Sequence, residues 1–251
     1  MVTHASCSLK RPHTHGVQPL DIIETKNVKK ALRLAETVIA SSDRRIGQIV
    51  GEPGSGKTAL SKLLAERFSG IRVCCFEGIS KAQLTRDILE ASGATLPGGT
   101  SYDMMAFSRQ ILPGRLIIVD EANHLRIQQL ERVRYFCDEL GTAAILMGTP
   151  LVNKVLSAQA TAVLTKQLTG RIGSKRLDIS PMDPRELAAT VLVPAFGDLG
   201  PDLSKAFHAL TGGWWREALE LVDGIKRIMA ANKLESVTLS VLTAAKKEGA
   251  M

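Results

Sequence analysis

The run Gly51-Glu52-Pro53-Gly54-Ser55-Gly56-Lys57-Thr58 fills every fixed position of a G-x-x-x-x-G-K-[ST] loop. Each position has a chemical use. Glycines let successive backbone N–H groups turn toward one anion. The helix that opens at Lys57 and Thr58, and continues through Ala59, points its positive dipole end at the same place. Lys57 can reach the β- and γ-phosphates of a nucleoside triphosphate, and the Thr58 hydroxyl can bind Mg²⁺. A second cluster stands at Asp120-Glu121, two carboxylates closing the apolar run Leu116-Ile117-Ile118-Val119. Asp120 suits Mg²⁺, held directly or through water, and Glu121 suits a general base on an attacking water. Thr149 follows the apolar run Ala144-Ile145-Leu146-Met147-Gly148 and offers a hydroxyl to orient that water. Arg216, just past Gly212-Gly213, could reach the nucleotide from a separate helical unit and couple its charge to closure of that unit. The expected ligands are ATP and Mg²⁺.

A frame must hold these groups. Ile46–Val50, Ile71–Phe76, Leu116–Asp120, Ala143–Gly148 and Arg176–Ile179 read as strands. Between them, Lys57–Phe68, Lys81–Ala91, Tyr102–Leu112 and Ile127–Leu140 carry helical periodicity, and Asn27–Ala40 is amphipathic. Strands alternating with helices predict an α/β class, a three-layer α/β/α unit around a parallel five-stranded sheet. Buried carboxylates are costly without partners, so Asp120 and Glu121 belong at the C-terminal end of their strand, beside the phosphate loop. After Ile179 the strand pattern stops. Ser180-Pro181-Met182-Asp183-Pro184 reads as a turn, with Asp183 as N-cap and Pro184 at the first helical position. Arg185–Phe196, Leu203–Leu210 and Trp214–Ala231 then read as helices of a small all-α lid. The expected division is a flexible tail over 1–19, a nucleotide-binding unit over 20–180, the lid over 181–231, and a short helix with a basic tail over 232–251. The Trp214-Trp215 pair reads as lid packing rather than a base contact. His4, Cys7, His13 and His15 have metal-ligand chemistry but no scaffold to fix them.

The 251 residues are 45% hydrophobic, enough for one α/β unit and an appendage, and no apolar run approaches the roughly 20 residues of a membrane span. The N-terminus lacks an apolar segment of signal-peptide type. Cys7, Cys74, Cys75 and Cys137 show no C-x-x-C spacing and read as reduced thiols of a cytoplasmic protein. A net charge of +7 favours a polyanionic partner. Aromatics are 4%, too few for base-stacking platforms, so a duplex gripped through its phosphates fits better.

These pieces in this order resemble an AAA+ ATPase of the initiator branch, and more narrowly the phage Mu transposition protein B and TnsC group of target selectors. The resemblance runs from about Pro19 to Ile228. Gly51–Thr58 and Asp120-Glu121 match P-loop NTPases in general. Thr149, in Met147-Gly148-Thr149-Pro150, matches the first sensor of the family. Leu168-Thr169-Gly170-Arg171 falls where the family carries its arginine finger, and Gly212-Gly213-Trp214-Trp215-Arg216 resembles the lid motif that carries the second sensor. The segment Glu77-Gly78-Ile79-Ser80-Lys81 is closest to the target-selector subgroup. The stretch before Asn27 leaves no room for the helix-turn-helix domain of the Mu protein, so no role of that domain carries over; compact TnsC-like ATPases lack it too.

The resemblance implies an ATPase that forms a homo-oligomer on double-stranded DNA and stimulates a transposase, with ATP between subunits. A γ-phosphate held by one subunit leaves charge that a neighbour's cation can neutralise. Arg171 is the expected finger, with Lys175 and Arg176 as alternatives. DNA backbone contacts are expected from Lys81, Arg86 and Arg109, and from Arg126, Arg132 and Arg134, with little base readout. Two other readings stay open: a helicase-loading or ExeA-like secretion ATPase, and a nucleotide-gated scaffold with little turnover.

Overall fold

The computed structural model describes residues 25–157 and 162–249. The expected tail, with His4, Cys7, His13 and His15, lies outside the described residues. The chain runs α1 (Lys26–Ala40), β1 (Ile46–Val50), α2 (Lys57–Arg67), β2 (Ile71–Cys74), α3 (Lys81–Ala91), α4 (Ser101–Ile111), β3 (Leu116–Asp120), a 3-10 turn (Ala122–His124), α5 (Ile127–Leu140), β4 (Ala143–Gly148), α6 (Leu151–Leu156), α7 (Ala162–Ile172) and β5 (Arg176–Asp178). A helical unit follows: α8 (Pro184–Leu187), a π segment (Ala188–Leu192), α9 (Val193–Phe196), α10 (Gly200–Thr211), α11 (Trp215–Asn232) and α12 (Leu239–Glu248).

The five strands pair in parallel in the order β2-β3-β4-β1-β5. Every residue of β1, β3 and β4 is buried, which is why their sequences are continuous apolar runs rather than alternating ones. Side-chain alternation splits β3 between two cores. Ile117 and Val119 join Leu84, Ile88, Leu130, Val133 and Phe136 on one face of the sheet. Leu116 and Ile118 join Ala31, Leu34, Val38, Leu60 and Leu64, from α1 and α2, on the other. Asp120 continues the second set, so its carboxylate falls under α2.

The strand order places the chemistry. β4 lies between β1, which ends in the phosphate loop, and β3, which ends in Asp120. Thr149, one residue beyond β4, therefore stands between the two. Parallel strands gather all three groups at one sheet edge, the usual position for a ligand in an open α/β fold.

Several boundaries differ from the sequence reading, among them the end of β5 at Asp178, the start of α10 at Gly200 and the division of 185–196 into three segments; two differences have an evident cause. β2 stops at Cys74 rather than Phe76: the Cys75 N–H still donates to the Asp120 carbonyl (2.9 Å), but β3 ends there, so no partner remains for a longer strand. The segment 232–251 does not stand apart from the lid. Val241, Leu242 and Ala245 of α12 pack with Phe207, Ala218, Leu221 and Ile225 in one apolar cluster. Asp183 does cap α8, its carboxylate accepting from the Glu186 N–H (2.9 Å) with Pro184 in the first turn.

The helical unit is fastened to the sheet unit through α1, and its own entry turn is pinned by a glycine. Asn27 Nδ2 donates to the Ser180 carbonyl (2.7 Å), and Lys26 pairs with Asp183. Gly213 has φ +77, and a Cβ there would collide with the Met182 carbonyl; its own carbonyl accepts from the Met182 N–H (2.9 Å). Only glycine allows that approach.

Candidate functional site

Gly54 and Gly56 both have positive φ (+83 and +86), the left-handed geometry that a phosphate cradle needs and side chains disfavour. Gly56 is also the N-cap of α2 and supplies no side-chain acceptor, so the first N–H groups of the helix are left to an anion. Gly51 closes β1, its N–H donating to the Gly148 carbonyl (3.1 Å). Glu52 and Pro53 are exposed at the rim. Lys57 is buried, and its ammonium donates to the carbonyls of Gly51 (2.9 Å) and Glu52 (2.8 Å). Burial lowers its pKa, while Glu121, Asp120 and Glu52 oppose that shift. The amine is thus folded onto its own loop, where a phosphate would replace weak carbonyl acceptors with charged ones.

Pro53, Gly54, Gly56, Lys57, Thr58, Ala59, Glu121, Thr149 and Arg216 line one cleft of about 490 Å³, together with Leu219, Glu220 and Asp223 of α11. Thr58 and Ala59 are exposed at its mouth. Arg216 rests on the loop itself: its N–H donates to the Gly54 carbonyl (3.2 Å), and a Cβ on Gly54 would meet its side chain at 3.0 Å. The expected set of loop, general base, first hydroxyl and lid arginine thus comes together from four separate parts of the chain. Among the described residues the buried Thr149 Oγ1 and Ser55 Oγ have no hydrogen-bond partner. Unsatisfied buried hydroxyls are costly, and Thr149, which lines this cleft, would be satisfied by a polar ligand there.

Adjoining it, an apolar cavity of about 250 Å³ is lined by Thr25, Asn27, Val28, Ser55, Gly56, Ile179, Met182, Trp214 and Trp215, among others. Trp214 and Trp215 therefore both face a cavity, and of the two only Trp215 also packs against the lid cluster. A cleft that carries Lys57, Glu121 and Arg216, joined to an apolar one at Gly56, Ala59 and Trp215, fits a triphosphate joined to a nucleoside.

Glu121 has φ 54 and ψ 39, a left-handed conformation costly for a residue with a Cβ and concentrated at functional sites. The turn is fixed by its backbone: its N–H donates to Asp120 Oδ1 (3.1 Å) and its carbonyl accepts from the His124 N–H (3.0 Å). Asp120 itself is fully buried. Its Oδ2 accepts from Ser61 Oγ (2.8 Å) and from Arg72 Nη2 (2.7 Å). Thr58 and Asp120 supply the hard oxygen donors that Mg²⁺ prefers.

Three contributors were not foreseen. Asn123 accepts the Thr149 N–H on its Oδ1 (3.0 Å) and so fixes the turn that presents the hydroxyl. Arg72 and Ser61 hold Asp120. Ser61 is four residues after Lys57, a spacing that puts both on the buried side of α2, and Arg72 alternates with Ile71 and Val73 along β2. Those signals exist in the sequence but name no role.

Arg171 lies elsewhere, in the last turn of α7. Its Nε and Nη2 donate to Asp138 Oδ1 (2.9 Å) and Oδ2 (3.2 Å) of α5, which raises its pKa. The six DNA candidates also separate. Lys81, Arg126 and Arg132 line a cavity of about 720 Å³ with Ser80, Ser101 and His124, and its lining carries no carboxylate. Arg132 is partly desolvated, which lowers its pKa, and meets the Thr85 hydroxyl (3.4 Å) and Met105 Sδ rather than an acid. Arg109 donates to the Tyr135 hydroxyl (3.2 Å), and Arg86 approaches Glu90 (3.9 Å). Arg134 is held by Glu131 (2.9 Å) and Asp138 (2.6 Å), which neutralise it.

Fold and site together are similar to those of AAA-domain proteins of the P-loop type. Residues 40–156 match the family model described as an AAA domain. A Staphylococcus aureus protein described as a potential ATP-binding protein is 27% identical over 269 residues, covering 90% of this chain and 95% of that one. Among solved structures, the Aeropyrum pernix ORC2 protein in its ADP form superposes with a TM-score of 0.62 at 18% identity over 88% of this chain and 66% of that one. CDC6P from Pyrobaculum aerophilum gives 0.63 at 16%, over 86% and 65%. The Thermotoga maritima RuvB Holliday junction branch migration motor gives 0.57 at 18%, over 90% and 69%. The chain thus spans about two thirds of the length of these solved chains, and at such identities the likeness establishes the fold. Among the described residues no helix is long and apolar enough to cross a membrane.

Proposed function

We propose that this protein hydrolyses ATP at an interface between its own copies and uses the bound nucleotide to assemble on duplex DNA as a target selector for a transposase. One observation carries the ATPase part: Lys57, Thr58, Glu121, Thr149 and Arg216 line a single cleft. Thr58 and Asp120 would hold Mg²⁺, which would neutralise charge on the β- and γ-phosphates. Lys57 leaves its carbonyl acceptors for phosphate oxygens. Glu121 takes a proton from the attacking water, and Thr149 orients that water. Arg216 ties the lid to the γ-phosphate, so lid position reports nucleotide state.

Arg171 is the proposed finger from the neighbouring copy, with Lys175 and Arg176 as its alternatives; Asp138 holds its guanidinium until the copies meet. The proposed DNA surface is the carboxylate-free cavity around Lys81, Arg126 and Arg132, with Arg109 of α4 as a further candidate. Arg134 and Arg86 drop out of that proposal because carboxylates already offset them. RuvB is a motor on a DNA junction, which supports a nucleic-acid role for a similar fold without defining the task. The transposase rests on the motif resemblance around Glu77–Lys81. The coupling is a population shift: ATP favours assembly only by binding the assembled interface better than the free subunit.

Electron microscopy of the protein with duplex DNA tests this reading. A non-hydrolysable ATP analogue should give rings or filaments on the duplex, and ADP should not. Free monomers under both conditions would refute it.

A further inference from the structure

The buried Asp120 carboxylate is held by more than its own strand. Arg72 sits on the edge strand β2, its side chain 23% exposed, and reaches across to Asp120, which is 0% exposed. The guanidinium is used as a fork. Nη2 donates to Asp120 Oδ2 (2.7 Å), and Nε donates to Ser61 Oγ (2.7 Å). Ser61 in turn stands within donating distance of Asp120 Oδ2 (2.8 Å) and of the Thr58 carbonyl (2.9 Å). Because Nε fills one lone pair of the Ser61 oxygen, the hydroxyl proton is directed outward to one of those two acceptors. The result is a closed brace joining β2, β3 and the first turn of α2. It connects the residue Thr58 to the residue Asp120 through two side chains that touch neither cleft.

We propose that Arg72 is the positioning residue for the metal side of the site. Its fork fixes Asp120 relative to Thr58 and commits Oδ2 to the brace, so that Oδ1, which takes the Glu121 N–H at 3.1 Å, is the oxygen presented toward a cation or its water. Groups behind a metal ligand orient it, and their loss costs metal affinity even though they never touch the ion. Arginine is required over lysine because one planar group must make two bonds at fixed angles. This inference rests on the reading of the cleft as an ATP–Mg²⁺ site.

The test is a Mg²⁺ titration of ATP binding, followed with a fluorescent ATP analogue on the full chain and without turnover. In the wild type, Mg²⁺ should tighten binding. In Arg72→Gln the Mg²⁺ concentration for half-maximal effect should rise by about 10- to 100-fold, while metal-free binding stays unchanged. Arg72→Lys should fall between, and Ser61→Ala should shift the same way by less; these two keep the test available if Arg72→Gln does not fold. An unchanged Mg²⁺ midpoint in all three variants would overturn the inference. So would a lower midpoint, which would make Arg72 a competitor of the metal, or an equal loss of binding with and without Mg²⁺, which would make it merely structural. A wild type whose ATP binding ignores Mg²⁺ would instead overturn the nucleotide reading beneath it.

Discussion

Glu121 stores backbone strain, and two substitutions can measure it. Its φ of 54 lies in the left-handed region, and the turn is held by main-chain bonds that any residue could make. Glu121→Ala removes the carboxylate but keeps a Cβ in the strained conformation. Glu121→Gly removes both. The two variants share every electrostatic consequence, including the loss of a charge that supports Lys57. They differ only in the backbone. A left-handed residue with a Cβ costs about 1–2 kcal/mol, and glycine's greater unfolded-chain freedom returns about 0.5–1 kcal/mol of that. Glu121→Gly should therefore be more stable than Glu121→Ala by about 1 kcal/mol, a melting difference of about 2–4 °C for a chain of this size. Calorimetry on the nucleotide-free proteins reads it directly. Both variants should bind ATP and fail to turn it over. If Glu121→Gly melts at or below Glu121→Ala, the turn relaxes at no cost, and the claim that strain is kept here to aim the base is wrong.

The remaining expectations address other parts of the molecule. Glu121→Gln should bind ATP normally and lose about 10²–10⁴-fold in turnover, the usual contribution of a general base; unchanged hydrolysis would remove it from the mechanism. In anisotropy titrations at several salt concentrations, Lys81→Ala and Arg126→Ala should each lower the log–log slope for duplex DNA by about one, and Arg134→Ala should leave it unaltered because Glu131 and Asp138 already offset that charge. Brief alkylation of the native protein should modify the exposed Cys74 before Cys75 and Cys137, whose buried thiols are pushed up to about 12; peptide mass spectrometry would show the order. Lys26 and the α8 N–H groups lower the pKa of Asp183 below its ordinary 3.8. A depressed carboxyl stabilises the fold above that value and loses its contribution as pH falls through the folded pKa, so Asp183→Asn should flatten the fall in melting temperature below about pH 4.

The sheet was legible because its inner strands are buried on both faces. Ile46–Val50, Leu116–Asp120 and Ala143–Gly148 could only be apolar runs, and each ends where the chemistry begins. The cleft was legible because its groups occupy fixed offsets from those ends. What was not legible depends on neighbours distant in sequence. β2 is shortened by the end of β3, and α12 joins the lid through contacts with α10 and α11 that a local pattern does not announce. α6 and α7 have no clean periodicity and were not foreseen as elements. The brace on Asp120 brings residues 61, 72 and 120 together through sheet register and helix packing, so each looked unremarkable alone. Charge pairing, by contrast, is partly local: Glu131 and Asp138 neutralise Arg134 from i−3 and i+4 on its own helix, while Arg132, two residues away, faces a carboxylate-free cavity.

The central claim is that hydrolysis needs residues from two copies, Glu121 from one and Arg171 from the next. Mixing two inactive variants tests it. Glu121→Gln keeps an intact finger and Arg171→Ala keeps an intact base, so in a randomly mixed oligomer about a quarter of the interfaces would pair a working base with a working finger. Turnover in an equal mixture with duplex DNA should therefore recover to about a quarter of the wild-type rate. A mixture no more active than its parents would contradict the account.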